Sequence, residues 1–225
     1  MAFMPVSIAP VENYPLPNAM VYGRRVRWDS FFQDLEDQLS AEWDAERAAL
    51  DSEAERLRIA RLGLRDRLRA LAGGDDPLAV EVADGTRHEL SVAAVGADWI
   101  AARSRTAPGG VLLVPLAALT AVGAAEPVLL RSARAVAAPD RMADRITFGF
   151  ALRDLARRRV PVTLGVIGGR AITGTLDRVG ADHLDLALHA LDEPRRPADV
   201  AGFRIVPTTA IAWVRADADT GSVLG

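Results

Sequence analysis

The tetrapeptide VGAD occurs at residues 95–98 and again at 179–182, and its flanks match as well, so it belongs to an internal repeat rather than to chance. Gly85 aligns with Gly169, Val92 with Leu176 and Ile100 with Leu184. Beyond a loop that is longer in the second copy, VLLVPLAALTAV (111–122) aligns with FRIVPTTAIAWV (203–214), so that Val114 and Pro115 meet Val206 and Pro207. Upstream, LRDRL (64–68) is echoed by LRDLA (152–156). A repeat of this kind uses one supersecondary unit twice, here a helix followed by about five short strands.

The strands are read from alternation. Val162, Leu164 and Val166 share one side of an extended chain, as do Ile172 and Leu176, and then Leu184, Leu186 and Leu188. Asp84-Gly85 and Gly168-Gly169 mark hairpin turns, whose tight geometry requires a positive φ. Five such strands closing on themselves would remove most exposed edges. The expected fold is therefore α+β and mostly β, with two small five-stranded barrels over 61–122 and 147–215. Each is preceded by a helix, and a long helix stands N-terminal to both. Residues 123–146 form the linker, whose Val128, Leu129 and Leu130 predict an added edge strand or a buried crossover, and 216–225 form a tail.

Residues 28–72 read as the long helix. No proline interrupts them, Asp29 or Ser30 can cap the start, and Gly73 and Gly74 follow the end. Trp43, Leu50, Leu57, Leu64 and Leu71 recur at heptad spacing, with Phe32, Leu35, Leu39, Ala54 and Leu68 flanking them, which predicts an oligomerisation seam. Acidic residues dominate from Asp34 to Glu55 and arginines from Arg56 to Arg69. That order suits the helix dipole, and it also suits an antiparallel partner; a solvated helix is the alternative. An unbroken helix of this length would reach roughly 65 Å, too long to pack wholly on a small barrel, so part of it must find another helix. Residues 1–25 carry repeated prolines and no sustained period, which predicts a disordered arm, or, if translation starts at Val26, no part of the native chain.

A 225-residue chain that is 50% hydrophobic and 25% charged can bury a real core. Its formal charge of -3 argues against a generic polyanion binder. All the basic charge is arginine, which with the Ala, Gly and Pro content reads as codon bias. The absence of cysteine removes disulfides, thiolate metal sites and thiol catalysis together. No apolar run is long enough for a helical membrane span and no secretory leader is visible, so a cytoplasmic protein without a membrane partner is expected.

The stretch VTLGVIGGRAITGTLDRVGADHLDLALH, with IVPTTAIAWV after it and a short helix before it, resembles the Sm-like (LSm) family and its bacterial relative Hfq. The likeness covers 147–215 and, more weakly, 61–122. It rests on Gly169 at the first turn, Gly174-Thr175-Leu176 where the second strand bends, Asp182 before the third strand, and Val206-Pro207 between the fourth and fifth. The first copy has Leu90 in place of Gly174. RWDSFFQDLEDQL together with RVGADHLDLALH also resembles a family of actinobacterial proteins with a long N-terminal helix. The Sm-like resemblance implies pairing of strand four of one barrel with strand five of the next, through backbone bonds that need no particular side chain. It does not imply a uridine site. The family holds uracil with an Asn and an Arg-Gly, and those positions are here Asp185 and Ala101, and Pro207-Thr208 and Pro115-Leu116. An Asp offers no donor, and its charge repels phosphate.

Candidate chemistry is thin. His88, His183 and His189 are the histidines, and His183 with Asp185 shares a strand face, a spacing open to metal or acid–base work but equally to an exposed face. There is no P-loop, dinucleotide fingerprint or nucleophile elbow. No catalytic, metal or cofactor-binding residue is assigned, and the chain is not read as an enzyme. Arg157, Arg158 and Arg159 close the second helix, with Arg153 one turn back and Arg170, Arg195 and Arg196 near in sequence pattern. The dipole alone favours cations there, and a phosphate-contacting patch is the functional alternative. Aromatics for base stacking are nearly absent beside it. Two readings follow. The first is a non-catalytic scaffold or adaptor that assembles through barrel edges and the coiled-coil-like helix, as a homodimer or larger, and recruits a protein partner. The alternative is an RNA- or DNA-binding regulator that uses the Arg patch.

Overall fold

Alternating apolar residues and glycine turns drive both copies of the repeat into the same run of hairpins. The structure is a computed structural model, described here for residues 28–106, 109–134, 142–191 and 200–216. The expected arm 1–25, Arg195, Arg196 and the tail beyond Ala216 lie outside the described residues. Helix α1 (Trp28–Arg61) comes first, then α2 (Leu64–Leu71). The first copy continues with β1 (Leu78–Val82), β2 (Arg87–Val95), β3 (Trp99–Ser104), β4 (Val111–Pro115) and β5 (Leu119–Gly123). Helix α3 (Glu126–Ala133) follows. The second copy is α4 (Phe148–Arg158), β6 (Pro161–Val166), β7 (Arg170–Val179), β8 (His183–Leu188), β9 (Gly202–Pro207) and β10 (Ile211–Ala216).

The chain divides into two units, 1–55 and 56–225. The described part of the first is residues 28–55 of helix α1, exposed throughout 31–55. The single helix expected over 28–72 is interrupted, because Gly63 adopts an extended conformation at the N-cap of α2. Glycine is among the poorest helix formers, and a heptad pattern carries no signal for such a break.

In the second unit all ten strands join one open antiparallel sheet, in the order β5-β1-β2-β3-β4-β10-β6-β7-β8-β9. This overturns the expectation of a mostly β fold with two closed five-stranded barrels over 61–122 and 147–215; helix and strand contribute comparably. Strand order is the same in each half, but neither fourth strand returns to its own fifth strand. Instead β4 pairs with β10, Leu113 opposite Val214 and Val111 opposite Ala216. Two edges with unpaired backbone groups satisfy each other this way, which local alternation cannot distinguish from closure.

The joint also shares the cores. Ile100, Ala102, Leu112 and Val114 enter a cluster with Leu68, Leu71, Leu78, Leu90, Ala212 and Trp213. Their alternate neighbours Trp99, Ala101, Val111 and Leu113 enter a second cluster with Leu152, Leu155, Leu164 and Leu184. Strands β3 and β4 are thus buried on both faces, with one face in each cluster. Residues 128–130, expected as an edge strand or buried crossover, lie in α3, started by Pro127 in the first turn. Val128 is buried and Leu130 is exposed. Arginines tie α3 down: Arg67 donates to Ser132 Oγ at 3.1 Å and to the Leu129 carbonyl at 3.1 Å, and Arg58 to the Ala133 carbonyl at 2.7 Å.

The repeated VGAD is one turn built twice. The Gly96 N–H donates to the Trp99 carbonyl and the Gly180 N–H to the His183 carbonyl, each at 2.8 Å. The Asp98 and Asp182 carbonyls accept from the N–H groups of Leu116 and Thr208 at 2.8 and 2.7 Å. Glycine is required at Gly96, where a Cβ would stand 2.2 Å from the Trp99 ring and 2.7 Å from the Ile146 carbonyl oxygen, whereas at Gly180 it would meet only the half-exposed His183 ring, at 2.6 Å. At Gly174 a Cβ would meet the Ala187 carbonyl oxygen at 1.9 Å, whereas Leu90 of the first copy is accommodated and fully buried.

Candidate functional site

The structure places the expected seam residues in different settings. Trp43 and Leu50 are 67% and 65% exposed on α1, Leu57 and Leu64 are about half exposed, and Leu71 is buried in the first core. The break at Gly63 divides the heptads. Part of the basic half expected to face an antiparallel helix is also engaged within the second unit: besides Arg58 and Arg67, Arg65 donates to the Gly96 carbonyl at 2.8 Å.

Three of the five arginines of the expected patch stand beside two carboxylates. Arg157 and Arg158 both reach Asp154, at 2.5 and 2.8 Å, and Arg159 stands 3.6 Å from Asp177. Asp154 lies three and four residues before its partners, the spacing that brings side chains together on a helix, so the sequence carries the signal for this pairing. Arg159 ends α4 in the left-handed conformation, with φ of 51°. Arg153 and Arg170 are not drawn into either ion pair.

The histidines divide into three settings. His183 Nδ1 meets Asp182 Oδ1 at 2.8 Å, not Asp185, which faces Ile205 across the ladder. His189 is buried: its Nδ1–H donates to the Ala190 carbonyl at 2.6 Å, and its Nε2 stands 2.6 Å from the Thr175 hydroxyl oxygen. Among the described residues no three His, Asp or Glu side chains converge as a metal site requires.

His88 belongs to a polar latch at the joint, which no sequence pattern announced. Trp213 Nε1–H on β10 donates to Asp84 Oδ2 at 2.7 Å in the β1–β2 turn. Asp84 Oδ1 accepts from the Thr86 N–H at 2.8 Å and the Thr86 hydroxyl at 2.6 Å. His88 Nε2 stands 3.0 Å from Thr86 Oγ1, and its ring meets Trp213 edge to face at 5.4 Å. The Arg215 guanidinium lies 5.9 Å from the Trp213 ring centre. Burial would raise the Asp84 pKa, but the hydrogen bonds from Thr86 and Trp213, with the nearby His88, outweigh it and hold the carboxyl below its ordinary value. Burial lowers the His88 pKa; the Asp84 charge opposes this and the Arg215 charge reinforces it. The one available signal was a Trp on a buried strand, whose N–H needs an acceptor.

The two ends of the sheet differ from the joint in what they leave uncovered. On β9, Phe203 and Ile205 are 59% and 74% exposed. Beside β5, an apolar groove of about 220 Å³ opens between the sheet, α2 and α3, lined among others by Leu64, Leu68, Leu71, Leu119, Val122 and Leu129. No described helix is long and apolar enough to cross a membrane. Comparison with protein-family models, with curated proteins and with solved structures finds no match.

Proposed function

We propose that this chain, whose repeat resembles the Sm-like family in sequence, is a non-catalytic scaffold or adaptor that associates with itself and presents the resulting assembly to a partner. The observation that carries this reading is the row of large apolar side chains standing in solvent on α1, with Trp43 and Leu50 two-thirds exposed and Phe31, Phe32, Leu35 and Leu39 close to half. Contiguous apolar surface of this kind marks an interaction face, since burying it removes the cost of hydrating it. A second copy of α1 laid antiparallel would cover the row and bring the acidic start of each helix toward the arginine-bearing end of the other.

Sedimentation of the full chain tests the reading. Replacing Leu50 and Leu57 with Glu lowers the mass of the sedimenting species while the helical circular dichroism is kept. A wild-type chain that is monomeric at micromolar concentration overturns the reading, and so does a variant with unchanged mass. Salt-sensitive retention on RNA that is lost on replacing Arg153 and Arg170 would move the assignment to a nucleic-acid regulator.

A further inference from the structure

Arg67 lines the apolar groove between β5, α2 and α3, and its charge there is unbalanced. The guanidinium, charged at any physiological pH, belongs to a half-buried residue. Nε donates to Ser132 Oγ and Nη2 to the Leu129 carbonyl, each at 3.1 Å. Ser132, 1% exposed, donates its own hydroxyl proton to the same carbonyl at 2.7 Å. Both acceptors are neutral. Among the described residues no carboxylate pairs with Arg67, whereas Arg131 of the same helix α3 has Asp76. The two bonds to α3 fix the guanidinium and leave Nη1 without a partner among the described residues. A charge drawn from water with no opposite charge beside it is costly, and an anion bound there offsets that cost.

The rest of the groove is apolar. Arg67 is the one charged side chain in its described lining; Leu68 and Leu71 are buried, Leu119, Val122 and Leu129 half-buried, and Leu64 exposed. At about 220 Å³ the groove holds a chain of about seven carbons, a methylene filling about the space of a water molecule. That is too little for the row of apolar anchors at i, i+3, i+4 and i+7 that a docked helix inserts. A single unbranched chain fits.

We propose that this groove binds a free medium-chain carboxylate, with the carboxylate on the Arg67 guanidinium and the chain among Leu68, Leu71, Leu119 and Leu129. Head charge and chain length are then selected by different parts of one site, as in other small-molecule pockets that combine an apolar lining with few polar groups. Ser132 and the Leu129 carbonyl hold the guanidinium before the ligand arrives, so little side-chain freedom is lost on binding. The groove lies wholly within the second unit, so the proposal goes beyond association through α1 and stands or falls separately from it.

The experiment uses the full chain carrying Trp43→Glu and Leu50→Glu, which removes the exposed apolar row of α1 as a rival binder of alkyl chains. This parent is titrated with acetate, hexanoate, octanoate, dodecanoate and 1-octanol, followed by calorimetry and by methyl NMR. Octanoate is expected to saturate and to shift the methyl resonances of Leu119, Val122 and Leu129, while acetate does not saturate. Affinity should rise by up to about fourfold per methylene from hexanoate to octanoate and level off before dodecanoate, once the groove is full. The uncharged 1-octanol should bind at least about 10-fold more weakly than octanoate. Arg67→Met should bring octanoate down to the level of 1-octanol, and Arg67→Lys should keep the preference for the acid. Because Arg67→Met also removes two bonds to α3, an unchanged 1-octanol affinity checks that the groove survives; Arg67→Gln takes its place if the Met variant unfolds. Thr120→Trp, which fills the groove from an exposed position, should abolish binding of both. Absence of saturable octanoate binding, equal affinity for octanoate and 1-octanol in the parent, affinity that climbs undiminished to dodecanoate, or binding that survives Thr120→Trp overturns the proposal.

Discussion

Strands β4 and β9 hold the same place in their halves, each antiparallel to a third strand and each ending at a proline before a 3-10 turn. Leu113 of β4 is wholly buried, whereas its counterpart Ile205 is 74% exposed. The neighbour makes the difference: β4 has β10 and the second core beside it, and β9 closes the sheet. The fifth strands repeat the contrast. On β10, Trp213 faces Gly165; on β5, the counterpart Ala121 faces Glu81. An indole covers the joint where the free end carries a methyl group and a carboxylate. Apolar alternation thus says which side of a strand a residue occupies, and the adjacent strand decides whether that side is dry.

The contrast can be broken most directly at the paired positions. Leu113→Ala should destabilise the fold by about 2 to 5 kcal/mol, the cost of a core cavity, while Ile205→Ala should change stability by no more than about 0.5 kcal/mol, both read by chemical denaturation of the dilute chain. Equal losses at the two sites would show that β9 is covered as β4 is. A smaller effect is expected at Gly165, where a Cβ would fall 2.1 Å from the Trp213 ring. Gly165→Ala should cost about 1 to 3 kcal/mol through overpacking, and Glu81→Ala, at its exposed counterpart, about 0.5 kcal/mol or less. A neutral Gly165→Ala would mean that the indole does not seal the joint.

The gentlest probe is acid. The folded-state pKa of Asp84 lies below its unfolded value, so its contribution is present above the ordinary carboxylate range and is lost as pH falls through the lowered pKa. His88 is also lowered, so the unfolded chain takes up its proton first and stability begins to fall once pH drops below the ordinary imidazole value. Both push the same way. Urea midpoints should decline from neutral pH toward acid, and Asp84→Asn should flatten the most acidic part of the decline. A variant whose midpoints track the wild type throughout would remove the latch from the account of the joint.

Much of the local structure was legible in the sequence because it is set by short-range chemistry. The glycines of VGAD, the Asp84-Gly85 and Gly168-Gly169 turns and the period-two apolar residues specify hairpins wherever they occur, and both halves obey them. The Asp154 pairing with Arg157 and Arg158 was legible too, in helical spacing. The interruption at Gly63 was not, since the heptads run through it unbroken. Nor were the β4–β10 joint and the Trp213–Asp84 bond, whose partners stand 129 residues apart. Edge pairing is made by backbone N–H and C=O groups that every residue carries, so no side-chain pattern distinguishes a strand that closes a barrel from one that joins another sheet. The sequence by itself determined two copies of one hairpin unit and the side each residue faces. Only the tertiary structure decided that the copies share one sheet, because that choice depends on which unpaired edge and which uncovered core meet once both halves have formed.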